Sequence, residues 1–319
     1  MSRIIRFLKN WTLPVSMVLG AVVYLLFANI PVLNTPSQFF APILLFVMPW
    51  MLFAMLFVTF CKVEIREMKP ERWQMWLLLL QVVLSVTVLV LILNVKDLDT
   101  KYVLEGILAC TVCPTASAAA VITGKLGGSA ASMTTYTLLS NVITAILVPL
   151  FFPLVEKGVE ITFLGAFITI LNKVVLILIL PLFAAWAVRR WWKGFHLWVC
   201  NQKDLAFYIW GCSLSILMGQ TIKNVLSADV SALVEIWIAV SAFATCVVQF
   251  VFGKFVGGIF NARINGGQAL GQKNTVFAIW MTYTYLNPVA SVAPGCYVIW
   301  QNLVNSWQLW TKRKYDKVF

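Results

Sequence analysis

Apolar runs of about 20 residues recur along the whole chain, separated by short polar or charged breaks. That is the length that carries a helix across a bilayer. Ten such runs can be traced, at about 11–30, 39–61, 73–95, 102–124, 129–152, 173–188, 205–222, 230–255, 268–293 and 294–310. The pattern predicts an all-α polytopic membrane protein of ten spans. Pro31 and Pro36 mark an uncharged turn between the first two. The stretch 156–171 is only moderately apolar and is expected to lie at the outer interface. That would leave Lys173 snorkelling at the start of the sixth span.

Two of the ten runs are interrupted. The ninth carries Gly271-Gln272-Lys273-Asn274-Thr275, and Lys273 is the charged residue that falls deep inside a span. An ammonium near mid-bilayer costs between ~2.5 and ~17 kcal/mol unless it finds a cavity, water or carbonyls. A locally unwound helix around Gly271, Asn274 and Thr275 would supply such partners, with Gln272 beside them. The fourth run is broken at Cys113-Pro114-Thr115-Ala116-Ser117, where proline removes a backbone donor. Paired interruptions in the two halves of a membrane protein point to a transport site. The carbonyls freed around Pro114, together with Gln81 of the third span, are the expected partners of Lys273.

The spacing repeats. Asn141 lies 27 residues after Pro114, and Asn302 lies 28 residues after Asn274. Each half then reads as five spans with a broken fourth and a polar pair in the fifth (Ser140-Asn141 and Gln301-Asn302). An odd number of spans per half turns the second copy upside down. Residues 1–155 and 156–319 are thus expected to be two inverted five-helix repeats, with helices 4 and 9 crossing.

Composition agrees with the pattern: 61% hydrophobic, mean hydropathy +0.88 and 11% charged residues, which excludes an ordinary soluble domain. The net charge of +12 is a topology signal rather than a nucleic-acid footprint. Eighteen of the 24 cationic side chains fall in the termini and loops of one side, which places both termini in the cytoplasm of a cell-membrane protein. The basic, apolar N-terminus lacks a small-residue cleavage site and reads as an uncleaved first span. The seven Cys do not cluster on the outer side, and no disulfide frame is expected. His196, among Trp191, Trp192 and Trp198, reads as an interfacial residue. The acids, Glu105 and Glu235 included, are expected in loops or near span ends, so no intramembrane catalytic cluster arises. The chain is not expected to be an enzyme, and no cofactor or metal is implied.

The run from Cys113 to Thr123, with Pro114, Thr115, Ser117 and Val121-Ile122-Thr123, resembles the span-4 signature of the bile acid:sodium symporter family. Gly271-Gln272-Lys273-Asn274-Thr275 resembles its span-9 signature, and Gln81 stands where that family has a span-3 glutamine. The resemblance runs along essentially the whole chain. It implies a panel domain of spans 1, 2, 6 and 7 and a core domain of spans 3–5 and 8–10. It also implies two sodium sites, and here the chain departs from it. A serine and an asparagine before Val-Ile-Thr are Ala119 and Ala120. One span-5 hydroxyl is Met133, while the other survives as Thr137. The shared span-9 glutamate corresponds to Ala269, and a span-9 glutamine corresponds to Lys273. Sodium needs oxygen donors, and these changes remove most of them.

The leading function is therefore secondary transport of a small organic, anionic solute by alternating access, independent of sodium, with Lys273 in its place. The crossing residues expected to carry it are Lys273, Gln81, Asn274, Thr275, Gln272, Ser117, Thr115, Pro114, Thr123, Thr137, Asn141 and Asn302. Helix N-termini at the breaks and the lysine favour an anion. A desolvated lysine is also a candidate for proton coupling. Two further classes stand beside this reading: thiol-dependent efflux of an arsenite-like metalloid through Cys113, and a non-transporting receptor on a transporter scaffold.

Overall fold

The helices begin and end where side-chain chemistry dictates. The computed structural model describes residues 12–62, 69–156, 162–202, 205–226 and 230–315. Arg3, Arg6, Lys9, Arg66, Lys157, Lys203, Lys317 and both chain termini lie outside the described residues. In order the helices are α1 (Thr12–Asn29), α2 (Pro31–Cys61), α3 (Arg72–Asn94), α4 (Leu98–Val112), α5 (Ala119–Leu126), α6 (Ala130–Val155) and α7 (Phe163–Leu178). They continue with α8 (Leu180–Trp191), α9 (Lys193–Asn201), α10 (Leu205–Leu226), α11 (Ala232–Ile259), α12 (Arg263–Gly271), α13 (Thr275–Tyr285), a 3-10 turn (Pro288–Ser291) and α14 (Val292–Tyr315). Asp97, Ser129, Thr162, Ser231 and Asn274 each accept a backbone N–H of the first turn that follows, on α4, α6, α7, α11 and α13. Such caps satisfy donors that a helix start leaves open. Gly127 closes α5 in the left-handed region (φ 92), a conformation that glycine adopts without strain.

Five described stretches are long and apolar enough to cross a membrane: Pro42–Cys61, Arg72–Asn94, Ala130–Val155, Phe163–Trp191 and Ala232–Ile259. The sixth run differs from its expected form. The helix starts at Phe163, behind its Thr162 cap, so among the described residues no separate interfacial helix precedes Lys173. The break falls instead at Ile179, ahead of Pro181, whose ring cannot follow an unbroken turn. Lys173 lies well inside α7, with its Nζ 5.7 Å from the centroid of the Tyr285 ring. Helix α2 likewise begins at Pro31 rather than near residue 39, since proline is tolerated in a first turn.

The chain divides into two compact units, Met1–Cys61 with Pro181–Asp229, and Lys62–Leu180 with Val230–Phe319. In the first, α10 packs on α1 and α2. A Cβ added to Gly20 would lie 2.0 Å from the Ser215 carbonyl oxygen, so only glycine permits this approach. Ser215 Oγ donates to the Ser16 carbonyl at 2.8 Å. His196 Nε2 lies 3.0 Å from the Cys61 carbonyl, while Trp191, Trp192 and Trp198 are exposed.

The second unit contains α3–α7 and α11–α14. Its tightest pair is α11 with α12, where glycine meets backbone. Added Cβ atoms at Gly253 and Gly266 would each lie 2.3 Å from the other residue's carbonyl oxygen. This contact seats α12, and with it the second interruption.

Candidate functional site

The two interruptions meet inside the second unit. Helix α4 stops at Val112, and Cys113 is extended (φ −63, ψ 147), as the residue before a proline must be. Helix α12 stops at Gly271, where a Cβ would lie 2.4 Å from the Phe250 ring. Between the helix halves the two strands run antiparallel, with Thr115 opposite Lys273. Ala116 N donates to the Gln272 carbonyl at 3.0 Å, and Asn274 N donates to the Pro114 carbonyl at 2.8 Å. Each unwound segment therefore supplies hydrogen bonds that its own helix has lost, as backbone at membrane depth requires.

Side chains complete the junction almost symmetrically. Thr115 N donates to Ser140 Oγ at 3.2 Å, and Lys273 N donates to Gln301 Oε1 at 2.8 Å. Thr115 Oγ1 donates to the Ala269 carbonyl at 2.6 Å. Lys273 Nζ donates to the carbonyls of Thr111 and Cys113, both at 3.1 Å. Those carbonyls belong to the open C-terminal end of α4, where the helix dipole is negative and a cation is favoured. Lys273 is 1% exposed. Its ammonium bridges the break by way of these two carbonyls.

Gln81 Nε2 donates to the carbonyls of Val112 (3.1 Å) and Cys113 (3.2 Å), and its Oε1 accepts from Ser140 Oγ at 3.3 Å. It thus shares the Cys113 carbonyl with Lys273 instead of meeting the ammonium. Asn274 Oδ1 accepts from Phe277 N at 3.2 Å and caps α13, and Thr275 N donates to the Lys273 carbonyl. Ser117 is buried in the α4–α5 break, and Thr123 is buried in α5. Thr137 Oγ1 donates to its own helix at Met133. Asn302 is not brought to the crossing, for its amide turns back to the Val298 carbonyl of its own helix. Adjacent helical residues point about 100° apart, and here Gln301 faces the crossing. Cys113, weighed for metalloid chemistry, has a buried side chain and reaches its neighbours through its carbonyl.

In each polar pair the sequence reading favoured the asparagine, whereas Ser140 and Gln301 are the members bonded at the crossing. It missed Thr144, Tyr297 and Gln249. Thr144 Oγ1 donates to the Val112 carbonyl at 2.8 Å, and Tyr297 OH donates to the Gly271 carbonyl at 2.8 Å. Gln249 Nε2 donates to the Cys110 carbonyl at 3.2 Å. Their signal was a polar group within an apolar run. Both side-chain atoms of Asn141 and Gln272, and the Asn274 amide nitrogen, are buried without a hydrogen-bond partner.

Four of the positions to which the resemblance assigns sodium ligands are apolar and packed. Ala119, Met133 and Ala269 are buried in one cluster with Trp73, Leu77, Leu78, Tyr136 and Leu270, and Ala120 packs against it. Trp73 and Tyr136 stack within it at 5.6 Å between ring centroids.

Among its described residues the chain is helical, with several membrane-length helices and two interrupted helices that meet at one antiparallel bridge, and it is built as a polytopic membrane transporter. It belongs to the SBF-like CPA transporter family, the bile acid:sodium symporter-like group of transporters, whose profile matches residues 64–281. A comparison with curated proteins found no match.

Proposed function

We propose that the chain moves a small organic anion across the cell membrane by alternating access, without sodium, with Lys273 in the place of the ion. The observation that carries this reading is the bonding of Lys273. Its ammonium is held by the carbonyls of Thr111 and Cys113, partners of the kind a sodium ion takes. The companion cluster around Ala119, Met133 and Ala269 offers packed carbon instead of side-chain oxygen. Together these features favour a transporter whose crossing is stable without a bound ion.

The preference for an anion rests on unpartnered donors rather than on Lys273. The amide nitrogens of Asn141, Gln272 and Asn274 lack protein partners. Each belongs to, or directly follows in sequence, a residue bonded at the crossing. Ala118, just ahead of helix α5, supplies no side-chain cap, and an uncapped helix start favours a negative ligand. We read the first unit as the panel domain (spans 1, 2 and 7) and the second as the core domain (spans 3–5 and 8–10), with span 6 divided at Pro181 so that α7 falls in the second unit, and the halves 1–155 and 156–319 as inverted repeats. The near-symmetric bonding of Thr115 and Lys273 supports the repeat. Both termini are placed in the cytoplasm by the distribution of basic residues.

A thermal-shift screen of small carboxylates and sulfonates on the purified protein tests the reading. A ligand should raise the transition equally in sodium and choline buffers. Stabilisation that needs sodium, or that organic cations alone produce, would overturn it.

A further inference from the structure

Glu105 is a buried acid in an unfavourable setting. It lies on α4, seven residues before the break, and is 0% exposed. Its Oε2 accepts one long hydrogen bond, from Asn287 N at 3.4 Å. Its Oε1 lies 3.5 Å from Lys101 Nζ and has no hydrogen-bond partner. The same ammonium stands 2.7 Å from Glu156 Oε1, and the Glu156 side chain is 40% exposed. Two carboxylates thus share one cation, and the better-solvated acid holds it more closely. Burying an ionised carboxylate with so little compensation is unfavourable, and such a group answers by binding a proton.

The surroundings make that proton consequential. Gly106 packs against the start of α14, and a Cβ there would lie 2.5 Å from the Ala293 Cβ and 3.3 Å from the Ala290 carbonyl. Asn287, which donates to Glu105, also accepts from Val289 N at 2.9 Å and so starts the 3-10 turn. Glu105 therefore ties the first interrupted helix to the corner that follows the second. Other charged or titratable groups on the packed elements are Lys96 after α3, Asp99 and Tyr102 on α4, Glu156 at the end of α6 and Glu235 in the first turn of α11. Asp97 at the cap of α4, Cys110 of α4, Cys246 of α11, Tyr283 and Tyr285 of α13 (the latter under Lys173), and Cys296 and Tyr297 of α14 lie on the same elements. Among described residues, Lys101 and Asn287 are the ones in polar contact with the carboxyl.

We propose that Glu105 is the proton-binding site of the transport cycle. It holds a proton while the corner Asn287–Ser291 is closed over it. When the corner opens to water it ionises, releasing the proton to solvent, and it takes one up again on closing. This rests on the transporter reading and makes its cycle dependent on pH; Lys273, fixed to two carbonyls, does not carry the proton.

Two measurements on the full chain in nanodiscs test the proposal, and neither needs a solute. Infrared difference spectra on acidification through neutrality should show a neutral-carboxyl C=O band in wild type and in Glu156→Gln. The band should be absent from Glu105→Gln, in which glutamine imitates the protonated acid. Second, Ser291→Cys places a thiol at a position that is 0% exposed in the corner. Its maleimide labelling, read on the isolated peptide, should rise with pH several-fold more than in Ser291→Cys/Glu105→Gln, a ratio that cancels thiol ionisation. An unchanged band in Glu105→Gln, or equal pH dependence in the two cysteine variants, would overturn the proton site. Failure of the anion screen alone would instead count against the solute reading.

Discussion

Thr115 and Lys273 stand opposite each other in an antiparallel bridge. Each side chain reaches the carbonyl four residues before the other, Thr115 that of Ala269 and Lys273 that of Thr111. The exchange lets each broken helix satisfy the open end of its counterpart. Lys273→Met leaves the Thr111 carbonyl without its cross-link and the Cys113 carbonyl with Gln81 alone. Buried carbonyls that lose a partner cost ~1–3 kcal/mol each. With one carbonyl left unpartnered, the variant should lose about 1–3 kcal/mol, visible as a lower melting temperature in detergent. An unchanged melting temperature would show that the brace carries no weight.

Glycines at the α11–α12 contact should be intolerant for a separate reason. The nearest atoms to a Cβ at Gly253 or Gly266 are backbone, which cannot rotate away. Gly266→Ala should push the helices apart and prevent expression of folded protein. Gly258, one turn from the same contact, has nothing within 4 Å of an added Cβ. Gly258→Ala should gain up to ~1 kcal/mol from helix propensity. Comparable monodisperse yields of the two variants would contradict the close approach.

Gln301 and Asn302 differ by one position and should differ sharply on substitution. Gln301→Leu removes the acceptor of Lys273 N and a donor to the Lys273 carbonyl. Asn302→Leu removes a bond within its own helix. Thermal unfolding should fall strongly for the first and little for the second.

The same pair shows what the chain's letters disclose. Pro114 and Gly271 announce the two interruptions because proline and glycine act on the backbone wherever they stand. An ammonium inside an apolar run announces a need for partners. Rotation about the helix axis is a different matter. In a span buried on several sides no amphipathic stripe says whether residue 301 or 302 faces inward. Glu105 escaped for a similar reason, since nearness to a span end says nothing about burial by a turn that comes 180 residues later. The break at Ile179 needed Pro181 to be weighed against a run otherwise continuous in hydropathy.

Topology can be read directly. Cysteines introduced at Ser2 and after Asp316 should resist a membrane-impermeant maleimide in intact cells, whereas one at Thr35 should label. Labelling at both termini would reverse the orientation that the basic loops imply.

Sodium independence is the last expectation, and it can be tested by rebuilding what is missing. Ala119, Ala120 and Ala269 lie in or against a packed apolar cluster, and Lys273 lies on the carbonyls of α4. Wild-type melting should not respond to sodium, because neither place offers a set of free oxygens. The combination Ala119→Ser, Ala120→Asn, Ala269→Glu and Lys273→Gln restores side-chain oxygens at both and removes the tethered cation. It also buries an unpaired carboxylate, which is unfavourable until a cation joins it. The quadruple variant should therefore be less stable than wild type in choline and recover saturably as sodium is added, by RT ln(1 + [Na⁺]/Kd). The variant with Ala269→Glu alone should be destabilised and should recover less, since Lys273 still occupies the second place. If wild type itself gains stability saturably with sodium while Lys273→Met melts as wild type does, the lysine is a bystander and the crossing still depends on an ion.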